Sequence, residues 1–124
     1  MPATEYLRDA VGEHVLQNTA YTSPTTLYLA LFSEAPDVTG GGVEVSGGSY
    51  ARQEVTFTST ATAGEFENNS LSFTDMPETT VVALGVYDDL TAGNLLYFET
   101  FSAVSVSASD TYPVNAGVLT IRHI

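Results

Sequence analysis

The chain has 124 residues, 44% apolar and 10% aromatic, with three Lys or Arg against fifteen Asp or Glu and a formal net charge of −12. Such a chain buries one core and is too apolar for a disordered acidic tail. Its charge balance excludes nucleic acid as a partner, because neutralising phosphates needs cations and only Arg8, Arg52 and Arg122 supply them.

Cysteine is absent, which removes disulfides, thiolate nucleophiles and cysteine-ligated metals. No apolar run is long enough for membrane insertion, and no basic segment leads into an apolar one as in a secretory signal. Lysine is absent too, so the surface carries essentially one sign of charge. Those charges repel in dilute buffer, whereas at 1 M salt the screening length falls to roughly 3 Å. The composition therefore favours a hypersaline setting over an ordinary one.

From Thr4 to about Asn18 the apolar residues Leu7, Ala10, Val11 and Val15, joined by Tyr6 and His14, recur at helical spacing. Thr4 is placed to cap the first turn, Glu5 complements the helix dipole, and Asn18-Thr19 marks the stop. Gly12 weakens the interior by about 1 kcal/mol. So short a helix needs a docking partner, either this domain's own sheet or another subunit, and Leu7, Val11, His14 and Val15 form the expected face. Residues 1–20 are thus read as a docking segment and residues 21–124 as a β domain.

After Tyr21 the texture becomes short apolar or alternating runs rich in Thr, Val, Tyr and Phe. Strands are expected at 25–33, 50–58, 65–73, 80–87, 95–101, 104–107 and 118–123. The runs from Leu27 to Phe32 and from Val81 to Val86 are apolar on both faces, as in strands covered twice. The turn from Asp88 to Asn94 predicts a hairpin. Between Ser33 and Tyr50 lies one long loop with Pro36, Gly40, Gly41, Gly42, Gly47 and Gly48, the expected contact loop. The fold class is mainly β: an antiparallel β-sandwich of about seven to eight strands with a short N-terminal helix.

Four segments in order carry a resemblance: TSPTTLYLALFSEAP from Thr22, EVSGGSYARQEVTF from Glu44, GVYDDLTAGNLLYF from Gly85 and GVLTI from Gly117. Together they resemble the small tail-fibre-like virion proteins of tailed viruses, which are related in places to capsid decoration proteins. The resemblance covers almost the whole chain and implies a structural virion component, on the capsid surface or tail, with no catalytic residues to carry over. Arg122-His123-Ile124 leaves little chain after the last strand, so a short module attached to other virion structural proteins is expected. Copies on a symmetric particle are expected to form a homo-oligomer, a trimer or pentamer.

Other site chemistry is weak. His14 and His123 are far apart in sequence, and Ser46-Gly47-Gly48-Ser49 lacks the lysine and following helix of a phosphate loop. Asp88, Asp89 and Asn94 do not have calcium-loop spacing and read as a polar turn. No catalytic residue, metal or cofactor is assigned. Arg52 should find carboxylates, within the domain or on a neighbouring copy. The alternative function is a carbohydrate-binding host-adhesion domain, reading host surface glycan with the Gly-rich loop and exposed tyrosines.

Overall fold

The computed structural model describes residues 1–123. At its centre β1 (Leu27–Glu34) runs antiparallel to β7 (Thr79–Tyr87), with Tyr28 opposite Tyr87 and Phe32 opposite Ala83. On its far side β7 pairs with β8 (Leu95–Val106). The other edge of β1 is shared by two short strands, β2 (Val43–Glu44) beside its C-terminal half and β3 (Gln53–Val55) beside its N-terminal half. The remaining strands form two smaller antiparallel sheets. β4 (Phe57–Ser59), β5 (Glu65–Asn68) and β10 (Thr120–Arg122) make one, with β5 central; β6 (Leu71–Phe73) and β9 (Tyr112–Val114) make the other.

The register explains the doubly apolar runs. Opposed residues of an antiparallel pair share a face, so Leu29, Leu31, Leu84 and Val86 line one side of the large sheet. They join Val55, Phe73, Met76, Val106, Val114 and Leu119 in the main core. Ala30, Phe32, Ala83, Leu95 and Phe98 form a second buried cluster. Gly85 is required there: a Cβ would lie 2.7 Å from both Leu95 Cδ1 and Phe32 Cε2. The expected antiparallel sandwich with a short helix is found, and 43% of it is strand.

Among the described residues the strand count is ten, not seven or eight, for physical reasons that alternation alone does not reveal. Segment 50–58 breaks at Thr56, whose N–H goes to Asn69 Oδ1, because β3 pairs with β1 while β4 pairs with β5. Segment 65–73 breaks after Asn68, whose buried side chain donates to the Asn69 and Asn115 carbonyls and accepts from the Leu119 N–H. Conversely, 95–101 and 104–107 are one strand with a bulge: Val81 faces Val104 and Ala83 faces Thr100, so Phe101, Ser102 and Ala103 stand opposite Val82. β2 arises inside the long loop, and β9 forms despite Pro113, which pairs on one side only.

The helix α1 (Glu5–Leu16) ends slightly before the expected Asn18, which takes φ 54° and stops it. The buried Thr4 hydroxyl donates to Leu95 O at 2.7 Å and accepts from the Leu7 N–H at 3.4 Å. Phe98 N–H donates to Pro2 O and Thr4 N–H to Leu96 O, so residues 2–4 cover part of the β8 edge. Thr4→Ala is therefore expected to lower stability by about 1–2 kcal/mol through loss of the cap and of the tie to β8, as read by urea unfolding.

Candidate functional site

The most concentrated polar cluster is built around Arg52. It starts with a turn: the Asp88 carboxylate accepts the Asn94 N–H at 2.7 Å and the Asn94 side-chain N–H at 3.1 Å, while Ala92 and Gly93 take φ 53° and 73°. That left-handed pair aims the Asp89 and Ala92 carbonyls at Arg52 Nη1, which donates to them at 2.9 and 2.7 Å. Nε and Nη2 each donate to Glu44 at 3.0 Å, a bidentate ion pair. The guanidinium carbon sits 3.6 Å above the centre of the Tyr87 ring. Of the two alternatives for Arg52, the structure shows pairing within the domain.

Tyr50 completes the cluster. Its hydroxyl donates to Glu44 Oε2 at 2.8 Å and accepts the Leu31 N–H at 2.9 Å, and its ring stacks on Phe73. Burial opposes the Arg52 charge, but the hydrogen bonds and charge of Glu44 outweigh this and raise its pKa. Burial also pushes the Tyr50 phenol far up, with Glu44 adding to it against the pull of the Leu31 N–H. The arrangement clasps β2, the approach to β3 and the 88–94 turn together. Glu44 was not singled out in the sequence, and its place two residues before the Gly-rich Ser46–Ser49 stretch gives no local signal for its partner eight residues on.

A raised folded-state pKa adds no stability change below the unfolded phenol value near 10 and removes stability as pH climbs above it. Burial raises Tyr87, Tyr97 and Tyr112 in the same direction. Stability is thus expected to fall steadily above pH 10, and Tyr50→Phe should flatten that fall while leaving its onset in place. Urea midpoints from pH 7 to 11 give the comparison.

The other expected positions separate. Leu7 is buried within the chain, whereas Val11 and Val15 are 40% and 69% exposed. His14 Nδ1 accepts the Tyr21 N–H at 3.2 Å. Leu16, which the helical stripe omitted, is 84% exposed. The long loop divides between two hollows. Gly40 pairs with Asp37, and Gly40 and Gly41 border a polar hollow of about 250 Å³ with Tyr6, Thr39, Tyr87 and Asn94. The Asp37 carboxyl is held below its usual pKa by the Thr39 hydroxyl and N–H. Gly42 turns where a Cβ would meet Glu34 O at 2.7 Å. Gly47 borders a second, mainly apolar hollow of about 430 Å³ lined by Val45, Tyr50, Ala51, Arg52, Leu90 and Ala92 among others. Gly48 packs close to the Asp75 carbonyl.

With the whole sandwich described, its family follows from residues 2–122, which match podophage GP4 fiber I protein gp80. The chain belongs to this family. The match runs from Pro2, bonded to β8, to Arg122, the last residue of β10, so it takes in the helix, both hollows and the Arg52 cluster. No curated protein matches the chain. The fiber I family is one of phage virion fibre proteins, and this protein is a podophage fibre structural protein located in the virion.

Proposed function

We propose that this fiber I protein is a non-enzymatic assembly module of the tail that joins copies of itself to other virion structural proteins, rather than a capsid decoration. The family match over residues 2–122 carries this reading. The Arg52 clasp supports it, because its charged and polar groups are engaged within the fold and hold a rigid block together. Immunogold labelling of intact particles tests it. Gold at the tail is the expected result; gold over the capsid faces replaces attachment by decoration, and particles without label overturn both.

The acidic surface fits work at high salt. With a net charge of −12, association brings like charges together, and lowering salt from about 1 M to 0.1 M lengthens screening from roughly 3 to 10 Å. The oligomer should dissociate over that range before the subunit unfolds, as size-exclusion chromatography with circular dichroism reads out. An unchanged oligomer at low salt removes the hypersaline reading.

One observation favours a second reading, glycan adhesion: the Tyr6 ring, 44% exposed, borders the polar hollow beside Gly40, Gly41 and Asn94. Aromatic faces and amide groups are what a neutral sugar needs. Binding of the purified protein to a glycan array, lost in Tyr6→Ala, is the result this reading requires.

A further inference from the structure

We propose that a small aromatic hollow between the large sheet and the β4–β5–β10 sheet binds a trimethylammonium cation that carries no anion beside it. The hollow measures about 140 Å³ and is lined by Leu27, Phe57, Phe66, Tyr97, Ile121 and His123. β1 and β8 supply one side through Leu27 and Tyr97, and β4, β5 and β10 supply the other. Pockets of roughly 300–1,000 Å³ take a whole small molecule, so this one takes a headgroup. At about 30 Å³ for a water-sized atom it holds about five heavy atoms, the number in a nitrogen with its four carbons. Its rings are held in place. The His123 N–H donates to Gly64 O at 2.8 Å, and Gly64, at φ 75°, comes so near that a Cβ would lie 2.6 Å from His123 O. His123 Nε2 and the Tyr97 hydroxyl are hydrogen-bonded at 3.1 Å. The His123 ring stands at 86° to Tyr97 and 88° to Phe66, so an exposed imidazole is fixed as one wall of a box with its neighbours at right angles.

Charge selects the occupant. Aromatic faces are negative, and four rings around one small space attract a cation. No arginine and no amino group lines that space. Opposed residues share a face, which puts Phe66 and Ile121 on the hollow side of the small sheet and Glu65 and Arg122 on the other, where they form an ion pair. The Met1 amino group is held at Thr120 O. The net charge of −12 draws cations to the protein from further away. A bare ammonium would leave its hydration shell without a carboxylate to replace it, since none lines the hollow, whereas a trimethylated one brings methyl groups to apolar walls. A carboxylate or phosphate attached to the same headgroup would find no lining cation and an acidic surface around it.

The site is independent of where on the particle the protein sits, so its test and the labelling above fail separately. The experiment is an NMR titration of the full chain at about pH 8, where an ordinary imidazole is neutral. Choline chloride replaces NaCl at a constant total of about 1 M, so that screening does not change. Ring signals of Phe66, Tyr97 and His123 should shift with a Kd in the millimolar range. Neopentyl carbinol, the neutral carbon isostere of choline, should bind about tenfold more weakly. Glycine betaine and phosphocholine, which carry the same headgroup with an anion attached, should bind several-fold more weakly than choline. Phe66→Leu keeps an apolar wall and removes a π face. It should lower choline affinity about threefold or more and leave the isostere's affinity unchanged. Phe66 is 36% exposed, and circular dichroism checks that the variant folds. No shift by about 0.1 M choline, an isostere that binds as tightly as choline, or a Phe66→Leu variant that binds choline as the wild type does overturns the proposal. Betaine or phosphocholine binding as tightly as choline overturns the restriction to a cation without an anion.

Discussion

Arg52→Leu should destabilise the protein by about 3 kcal/mol. Breaking a buried ion pair typically costs 3–5 kcal/mol because the remaining charge stays desolvated. The Arg52 side chain is 8% exposed but that of Glu44 is 27% exposed, so part of the orphaned carboxylate regains water and the lower end applies. The same substitution releases the Asp89 and Ala92 carbonyls and uncovers one face of Tyr87. Adding Glu44→Leu should recover part of the loss, since removing both charges leaves neither unpaired, although Tyr50 then loses its acceptor. Urea unfolding of the two single variants and the double variant measures the coupling. A cost below 1 kcal/mol for Arg52→Leu would make the clasp a surface ion pair.

Phe73→Ala is expected to cost about 3–5 kcal/mol, as for large-to-small changes at fully buried aromatic sites. Phe73 is 1% exposed, stacked on Tyr50 with ring centres 5.8 Å apart and edge-on to Tyr112 at 6.5 Å. It belongs to β6, a three-residue strand paired only with β9, so few backbone hydrogen bonds remain to hold the small sheet once the ring is gone. A fall in melting temperature on the order of 10 °C should follow. Phe66→Ala makes a contrast within the neighbouring sheet. Phe66 is 36% exposed, and its truncation should cost about 1 kcal/mol or less.

What could be read from the sequence follows from how far apart the deciding residues lie. The helix was legible because Thr4, the stripe and Asn18 sit within one short window, and the central strands because apolar runs such as 27–32 need no partner to identify them. The divisions at Thr56 and after Asn68 were not legible, since they depend on Asn69, Asn115 and Leu119 reaching across the fold. The continuous β8 was obscured by its bulge, whose Ser102 and Ala103 interrupt the apolar pattern and resemble a turn. Arg52 stood out as a rare cation, but nothing local selects Glu44 from fifteen acidic residues, or the Asp89 carbonyl 37 residues away.

The strap formed by residues 1–4 also bears on how the protein comes to be folded. The Met1 amino group donates to Thr120 O and the Thr4 hydroxyl to Leu95 O, contacts that close loops of 119 and 91 residues. Residues 1–4 therefore find their place only once the segments 119 and 91 residues further along the chain are in position. During that interval β8 lacks its edge cover, and α1 exists without the sheet that holds Leu7. A chain dominated by such distant pairings folds in milliseconds to seconds rather than microseconds. Docking of residues 2–4 is what supplies the cover of the β8 edge.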